Sequence, residues 1–372
     1  MKFPWTCVVT LSLLLGCFMA YGNPSLEKNT RGITAISDNT IQQRLKNIDS
    51  PVAYHYEPAV TEHVKSYLIQ GKHATQRILG RTALYFPVFE HYLNANRLPK
   101  QLKYLPIVES RLQPTAKSYV GALGLWQFTA ATARQYHLTI NGDVDERRDP
   151  IRSTEAAVDF LAQLYGKYRD WALVLAAYNC GPARVNQAIR TAGGVKNYWK
   201  IRQYLPKETQ DYVPRFMAVT YVMNHYQDHY LVPSYPSHQL QLTRTVKIFN
   251  GMNFQDIARL SGVSTDVIAA LNPGYWRAYI PASSKGHYLS LPAAAMETYK
   301  SRNGAQVVAI NFSGAKRTHV VESGDTIESI AKQFKCSVKD IQYWNNLNQN
   351  SLYFRQELVI YTGDRAVSGS RS

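Results

Sequence analysis

Apolar residues recur at helical spacing over much of the first 230 residues, and this periodicity predicts a mainly helical region. Between residues 58 and 95, for example, Val64, Tyr67 and Leu68 fall at positions i, i+3 and i+4. Residues 171–178 are apolar on every side, which is typical of a helix in the centre of a domain. We therefore expect a helical domain with one fully buried helix, on which the helices from residues 58–95 pack.

Capping residues and polar stretches predict where the helices begin and where the chain is irregular. Ser153 is expected to cap a helix with an apolar stripe over residues 157–164, directly after the charged loop 145–150. Residues 23–54 are polar and rich in turn-forming residues, so we expect an extended leader there with one short helix at 41–48.

A single acidic side chain, Glu109, follows the apolar run 105–108. A carboxyl group that packs against apolar neighbours loses hydration, so its pKa rises and it can act as a general acid near neutral pH. Taken alone, a glutamate in this position is much more often an ordinary N-terminal-turn or salt-bridged residue. A turn with Ser118 and Gly121 comes next, and residues 124–128 are expected to begin a second helix.

The C-terminal part contains a strand–helix–helix–strand pattern at residues 319–361, and residues 246–292 repeat it more loosely. Asp325 and Glu328 resemble the capping box that starts a helix. Polar stretches interpreted as two linkers and a disordered tail lie at residues 232–239, 301–316 and 363–372.

Composition narrows the possible partners. A chain of 372 residues with a net charge of +16 suggests two or three domains and an acidic partner. No basic block or nucleic-acid motif is present, so we expect no nucleic-acid partner. Cys180 and Cys336 lie far apart, and His225 and His229 lack the glutamate of a zinc-binding H-E-x-x-H motif. We therefore expect no metal site and no cofactor.

The first residues have the pattern of an export signal: Lys2 precedes a short apolar core at 8–15 that is too short to span a bilayer. Two processing routes remain open. Residues 20–22 have the A-x-G arrangement of a signal-peptidase site, which would release a soluble chain. Residues 14–17 resemble a lipobox, in which Cys17 would become the lipidated first residue.

The stretch from about residue 98 to 230 resembles the lysozyme-like lytic transglycosylases, most closely the membrane-bound lytic transglycosylase D type. The matching pieces, in order, are Glu109-Ser110, Gly121-Ala122, residues 124–127, the loop 145–150, residues 177–181, Glu208-Thr209 and Tyr212-Val213. The resemblance implies that Glu109 is the catalytic acid and base. It also implies that Ser118 assists at the sugar, that Gln127 and Tyr178 position the substrate, and that Asn179 supports the site.

Residues 319–361 strongly resemble a LysM module, which binds chains that contain N-acetylglucosamine. The candidate glycan contacts implied by this resemblance are Gly324, Asp325, Thr326, Asn346, Leu347 and Asn348. The looser repeat is interpreted as a divergent LysM-like unit that either binds sugar or acts as a structural spacer.

Together these resemblances imply an α+β multidomain protein with a mainly α, lysozyme-like catalytic domain, an N-terminal helical extension and small βααβ LysM modules. The expected divisions are an export signal (1–22), a leader and helical region (23–97), the transglycosylase domain (98–232), a divergent LysM-like module (240–300), a LysM module (317–362) and a tail (363–372).

Glycosidases usually need two carboxylates, but no other acid follows Glu109 until Asp143. Peptidoglycan offers a substitute, because the C6 hydroxyl of its muramic acid can attack its own C1. We therefore expect a lytic transglycosylase that leaves a 1,6-anhydro end, exported to the periplasm or membrane-anchored, monomeric and bound to peptidoglycan glycan strands. Two alternatives remain: a lysozyme-type hydrolase with Asp145, Asp149 or Glu208 as second acid, and a non-catalytic peptidoglycan-binding scaffold.

Overall fold

The computed structural model describes residues 37–241, 243–303, 307–310, 316–334, 338–345, 347 and 349–361. The predicted export signal, Cys17, Asn346, Asn348 and the tail lie outside these residues. The helices of the first part are α1 (Asp38–Lys46), α2 (Pro58–Lys65), α3 (Lys72–Ala95), α4 (Leu105–Ser110), α5 (Ala130–Gln135), α6 (Pro150–Tyr168), α7 (Trp171–Cys180), α8 (Pro182–Thr191), α9 (Tyr198–Ile201), α10 (Lys207–His225) and α11 (His238–Gln241). A π-helical turn, Ser66–Gln70, and the 3-10 turns Lys100–Tyr104, Arg202–Tyr204 and Tyr226–His229 complete this region.

Helix α7 forms the centre of the helical region, as its all-apolar sequence predicts. Residues 172–177 are all buried, and α6, α8 and α10 pack around the helix. The preceding helices pack on this domain as predicted, since α2 contacts α10 and α3 contacts α6. Polar contacts reinforce the packing; the His63 ring lies 2.7 Å from a carboxylate oxygen of Asp211. The short helix expected at 41–48 is present but begins three residues earlier, where Ser37 caps it.

Two local predictions are wrong. Residues 124–128 form a loop rather than the start of a helix, because Gly124 (φ +88°) and Gln127 (φ +50°) both adopt left-handed backbone. The following helix, α5, starts only after its cap, Thr129. Ser153 is inside α6 and does not cap it. The N-cap is Asp149, whose carboxylate accepts hydrogen bonds from the next turn, and Pro150 occupies the first helical position.

The LysM-like region is larger than its sequence pattern predicts. Its elements are β1 (Thr243–Ile248), β2 (Met252–Asn253), α12 (Phe254–Ser261), α13 (Thr265–Leu271), β3 (Tyr279–Ile280), β4 (His287–Pro292), α14 (Ala293–Arg302) and β5 (Val307–Ile310). Strand β1 pairs antiparallel with both β4 and β5, so Val246 lies opposite Leu289 on one side and Ala309 on the other. The stretch 301–316, interpreted from sequence as a linker, therefore contains a strand that completes this sheet.

The last region has the predicted βααβ order: β6 (Lys316–Val320), α15 (Ile327–Gln333), α16 (Val338–Asn345) and β7 (Glu357–Tyr361). The two strands pair antiparallel, and Ile327, Ile330 and Leu358 contribute to one buried core. The capping box of α15 is made by Thr326 and Ser329, not by Asp325 and Glu328, because the helix starts one residue later than the sequence suggests.

No helix within the described part of the chain is both long and apolar enough to span a bilayer.

Candidate active site

Glu109 lies near the end of α4, a six-residue helix that stops where Arg111 turns into left-handed backbone (φ +54°). Ser110, the next residue, is buried, and its hydroxyl lies 2.9 Å from the carbonyl oxygens of both Pro106 and Leu125. The contact with the Leu125 carbonyl connects α4 to residues 116–128, which we call the active-site loop. Glu109 is therefore held at the junction of a helix and this loop.

The electrostatic surroundings of Glu109 favour its protonated form. Burial raises the pKa of this carboxyl from its ordinary 4.5 to about 7, although a hydrogen bond from the Tyr212 hydroxyl works in the opposite direction. The negative charge of Glu208 raises the pKa further. The rise expected from the apolar run before Glu109 is thus confirmed, and the group can both give and take a proton near neutral pH.

Two tyrosines lie beside the carboxyl. The Tyr178 hydroxyl donates to the carbonyl of Trp126 at 2.8 Å, and its pKa is raised by burial and by the charge of Glu109. Tyr212 donates directly to Glu109, and its pKa is raised for the same two reasons. Both hydroxyls therefore remain protonated donors. Tyr212 is among the residues that carry the family resemblance, but the sequence analysis gives it no role. Its position four residues after Glu208 on α10 is the sequence feature that could have indicated one.

Ser118 and Gln127 both hydrogen-bond within the active-site loop. The Ser118 hydroxyl accepts a hydrogen bond from the Ala122 amide at 3.0 Å, which closes a tight turn. The side-chain amide of Gln127 donates to the carbonyls of Ala116 (2.9 Å) and Gly124 (2.8 Å). Both side chains are half-buried and give the loop its shape. Their predicted roles at the sugar remain predictions.

Asn179 connects the end of α7 to α10. Its side-chain oxygen accepts a hydrogen bond from the Thr209 hydroxyl at 2.6 Å, and its amide nitrogen lies 3.5 Å from Glu208. Since Glu208 also acts on Glu109, the structure brings Asn179 into the same neighbourhood as the candidate acid. The supporting role that the resemblance implies for Asn179 remains a prediction.

The acids left open as a second carboxylate differ in their surroundings. Asp145 is buried and makes two contacts with Arg147, at 2.9 and 2.7 Å. Asp149 accepts hydrogen bonds from two amides at the start of α6. These two carboxylates therefore serve the fold. Glu208 is exposed, and of the three acids it is the one whose charge raises the pKa of Glu109.

The histidine pair at the end of α10 has protein partners. His225 contacts Asp228 at 2.9 Å, and the buried His229 contacts the Tyr221 hydroxyl at 2.9 Å. Among the residues that the structure describes, no group of three or more His, Cys, Asp or Glu side chains could hold a metal ion.

In the last region, the predicted glycan contacts lie at the start of α15. Gly324 has φ +94°, and Asp325 accepts a hydrogen bond from the Glu322 amide while contacting His319 at 2.7 Å. Exposed Phe354 lines a cleft together with Gly324 and Asp325. Leu347, also predicted as a contact, packs against the core of this region.

Comparison with known proteins agrees with this geometry. Three family models match the chain in order: "Transglycosylase SLT domain" at residues 87–201, "Lytic transglycosylase MltD, LysM-like domain" at 242–307 and "LysM domain" at 319–360. The chain is 29% identical to membrane-bound lytic murein transglycosylase D of Escherichia coli K12 over 318 residues, which cover 82% of this chain and 70% of the relative. It is 39% identical over 104 residues to the peptidoglycan transglycosylase gp16 of phage T7, covering 27% of this chain and 8% of gp16.

Two solved structures are also similar. One is an inactive mutant of the lytic transglycosylase Slt from Pseudomonas aeruginosa, with 17% identity and a TM-score of 0.34, covering 54% of this chain and 38% of that chain. The other is the 70 kDa soluble lytic transglycosylase of Escherichia coli, with 20% identity and a TM-score of 0.36, covering 56% and 35%.

The helical domain around Glu109, with its SLT match, defines the class of this protein: it is a lytic transglycosylase. A LysM-like domain of the MltD kind and a LysM domain follow in order. In this order of domains, and in its 29% identity to membrane-bound lytic murein transglycosylase D, the chain is similar to the membrane-bound lytic transglycosylase D type.

Proposed function

We propose that this protein cleaves the β-1,4 bond between MurNAc and GlcNAc in peptidoglycan and leaves a 1,6-anhydroMurNAc end, with Glu109 as both acid and base. One observation carries the proposal. The Glu109 carboxyl lies at the junction of α4 and the active-site loop and accepts a hydrogen bond from Tyr212, and burial there raises its pKa to about 7, so it can give and take a proton near neutral pH.

The first step uses the protonated carboxyl. Glu109 gives its proton to the oxygen that bridges the two sugars, and the bond from that oxygen to C1 of MurNAc breaks. The carboxylate left behind then takes the proton from the C6 hydroxyl as this oxygen bonds to C1. The ring closes without water, and Glu109 returns to its starting form. Because the nucleophile belongs to the substrate, the reaction gains from proximity.

Neighbouring residues assist the two halves of this cycle in opposite ways. Burial, with a smaller contribution from the negative charge of Glu208, raises the pKa of the carboxyl and favours its protonated form before the first step. The hydrogen bond from Tyr212 stabilises the carboxylate that forms after it. Tyr178 is held by the Trp126 carbonyl and connects this pair to the active-site loop. Ser118, Gln127 and Asn179 orient the sugars around them.

The C-terminal region holds the polymer. The LysM domain binds the glycan strands of peptidoglycan near Gly324, Asp325 and Thr326, and the net charge of +16 favours an anionic wall. The enzyme thus works in the cell envelope, after export to the periplasm, as a monomer. Lipidation at Cys17 would anchor it to a membrane, whereas cleavage after residue 22 would release it.

A direct test compares Glu109→Gln with Glu62→Gln, which changes an exposed glutamate on α2. The mature proteins are incubated with purified peptidoglycan, and soluble fragments are quantified. Loss of a general acid should reduce fragment release by at least about 100-fold in Glu109→Gln, whereas Glu62→Gln should match wild type. Both variants should still pellet with the wall. Full activity of Glu109→Gln would show that the assignment is wrong.

Hydrolysis is the second candidate, because Glu208 lies close enough to Glu109 to affect its pKa. If Glu208 activated a water, Glu208→Gln would abolish release and wild-type fragments would have reducing ends. Under our proposal Glu208→Gln remains active and still forms anhydro ends.

A further inference from the structure

The LysM-like region and the catalytic region share one hydrophobic core. Val144, which directly precedes the charged loop 145–150, is only 2% exposed, and it belongs to the cluster formed by Val246, Phe254, Ile268 and Leu289 of the LysM-like region. Among the described residues, Val144 is the member of that cluster that comes from outside the LysM-like region. The contact is therefore part of the fold of both regions.

Backbone hydrogen bonds flank this shared side chain. The Asp145 amide donates to the Gly274 carbonyl at 2.9 Å, and the Trp276 amide donates to the Asp143 carbonyl at 2.9 Å. Val144 and Tyr275 thus pair as in an antiparallel sheet. Such pairing fixes the position of residues 143–145 relative to the LysM-like region.

Side-chain contacts also join loop 145–150 and α6 to the LysM-like region. The Arg148 guanidinium lies 4.4 Å from the centre of the Trp276 ring, and the Tyr288 hydroxyl donates to Glu155 at 3.2 Å. The cation–π contact holds loop 145–150 directly, because Arg148 belongs to this loop, whereas Glu155 lies on α6.

The loop that receives these contacts also supports the active-site loop. Asp145 fixes Arg147, whose guanidinium donates to the Gly121 carbonyl at 3.1 Å. Gly124 packs so closely that a Cβ there would lie 1.8 Å from the Arg147 carbonyl oxygen. A chain of direct contacts therefore runs from Val144 and its neighbours to the loop that holds Gln127 and the Trp126 carbonyl.

We propose that the LysM-like region positions the active-site loop, with Val144 and Trp276 as positioning residues, and that the partner of residues 274–277 is the catalytic domain and not a glycan. These residues follow the second helix of the module. The corresponding residues of the LysM domain are the candidate glycan contacts at 346–348. In the LysM-like region, the loop 143–145 contacts the segment at this position. The inference rests on the proposed function, since its readout is transglycosylase activity.

The test uses two matched variants of the mature full-length chain, Val144→Ala and Val246→Ala. Each removes the same two methyl groups from the same core, but only Val144 lies on the loop that bears Arg147. kcat and KM are measured on short, soluble, uncrosslinked glycan strands, at a temperature below both unfolding midpoints. Because small misplacement of catalytic groups slows the chemical step, kcat should fall at least about fivefold in Val144→Ala. Val246→Ala should stay near wild type.

Trp276 gives an independent comparison. Trp276→Ala should lower kcat in the same way, and Trp276→Phe, which keeps an aromatic face for Arg148, should restore most of it. Equal kcat values for the two valine variants would overturn the inference. So would a change in KM alone, which would mean that the region only holds the polymer. If wild type itself releases no anhydro product, the proposed function fails instead.

Discussion

Replacing Glu109 with glutamine should make the protein more stable at alkaline pH while it destroys activity. Burial raises the pKa of this carboxyl from 4.5 to about 7. At 1.36 kcal/mol for each pKa unit, keeping the carboxylate ionised in the folded protein costs about 3 kcal/mol. The side chain is only half-buried, so solvent screening reduces the expected cost to about 1–3 kcal/mol.

The sign of the effect follows from proton binding. A carboxyl whose pKa is raised by folding binds its proton more tightly in the folded than in the unfolded state. The folded protein is therefore favoured most below pH 4.5, and this advantage is lost as the pH rises to about 7. Glutamine does not ionise, and its side-chain oxygen can still accept the hydrogen bond from Tyr212. The gain from Glu109→Gln should therefore be absent at low pH and complete above pH 7.

Calorimetric midpoints at pH 4.5 and pH 8 measure this gain in the transition of the catalytic domain. For a domain of this size about 1 kcal/mol corresponds to roughly 2–4 °C, so Glu109→Gln should melt roughly 2–12 °C above wild type at pH 8. Glu62→Gln is the control for replacing an exposed glutamate, and it should stay within about 0.5 kcal/mol of wild type at both pH values. A midpoint difference that is absent at pH 8, or equal at both pH values, would refute the reasoning.

Three further outcomes are expected. Tyr212→Phe removes a hydrogen bond that lowers the pKa of Glu109, so the alkaline limb of the kcat–pH profile should move to higher pH and kcat should fall about tenfold; an unmoved limb would contradict this role. Glu208→Gln removes a charge that raises the same pKa, so its alkaline limb should move to lower pH; a shift upward would count against the assignment. Gly124→Ala should cost about 2 kcal/mol or more in unfolding free energy, because φ is +88° and the Arg147 carbonyl occupies the Cβ position. Gly121→Ala, at φ +79° but facing open space, should cost less, and equal losses would exclude the packing argument.

The sequence predicts those features that depend on local pattern. The apolar residues of 171–178 specify a buried helix, and the apolar run before Glu109 indicates a desolvated carboxyl; the structure contains both. The prediction that a helix starts at 124–128 is wrong because the apolar residues of this stretch are compatible with either a loop or a helix. Left-handed backbone at Gly124 and Gln127 prevents these residues from starting a helix.

Other features depend on contacts between distant parts of the chain. Tyr212 lies 103 positions after Glu109, and only the packing of α10 against α4 brings their side chains together. Val144 is one apolar residue among charged neighbours, which suggests an exposed loop. Its burial becomes visible only once the LysM-like region covers it. No local pattern encodes either contact.

The most direct test of the central claim is to digest purified peptidoglycan with the mature wild-type protein in water labelled with heavy oxygen. The masses of the fragments are then measured by mass spectrometry. If Glu109 works alone and the C6 hydroxyl of the substrate is the nucleophile, the MurNAc ends will be one water lighter than reducing ends, will resist borohydride and will carry no label. Reducible ends that carry heavy oxygen would mean that water attacks C1, and the account of a single-carboxylate transglycosylase would be wrong.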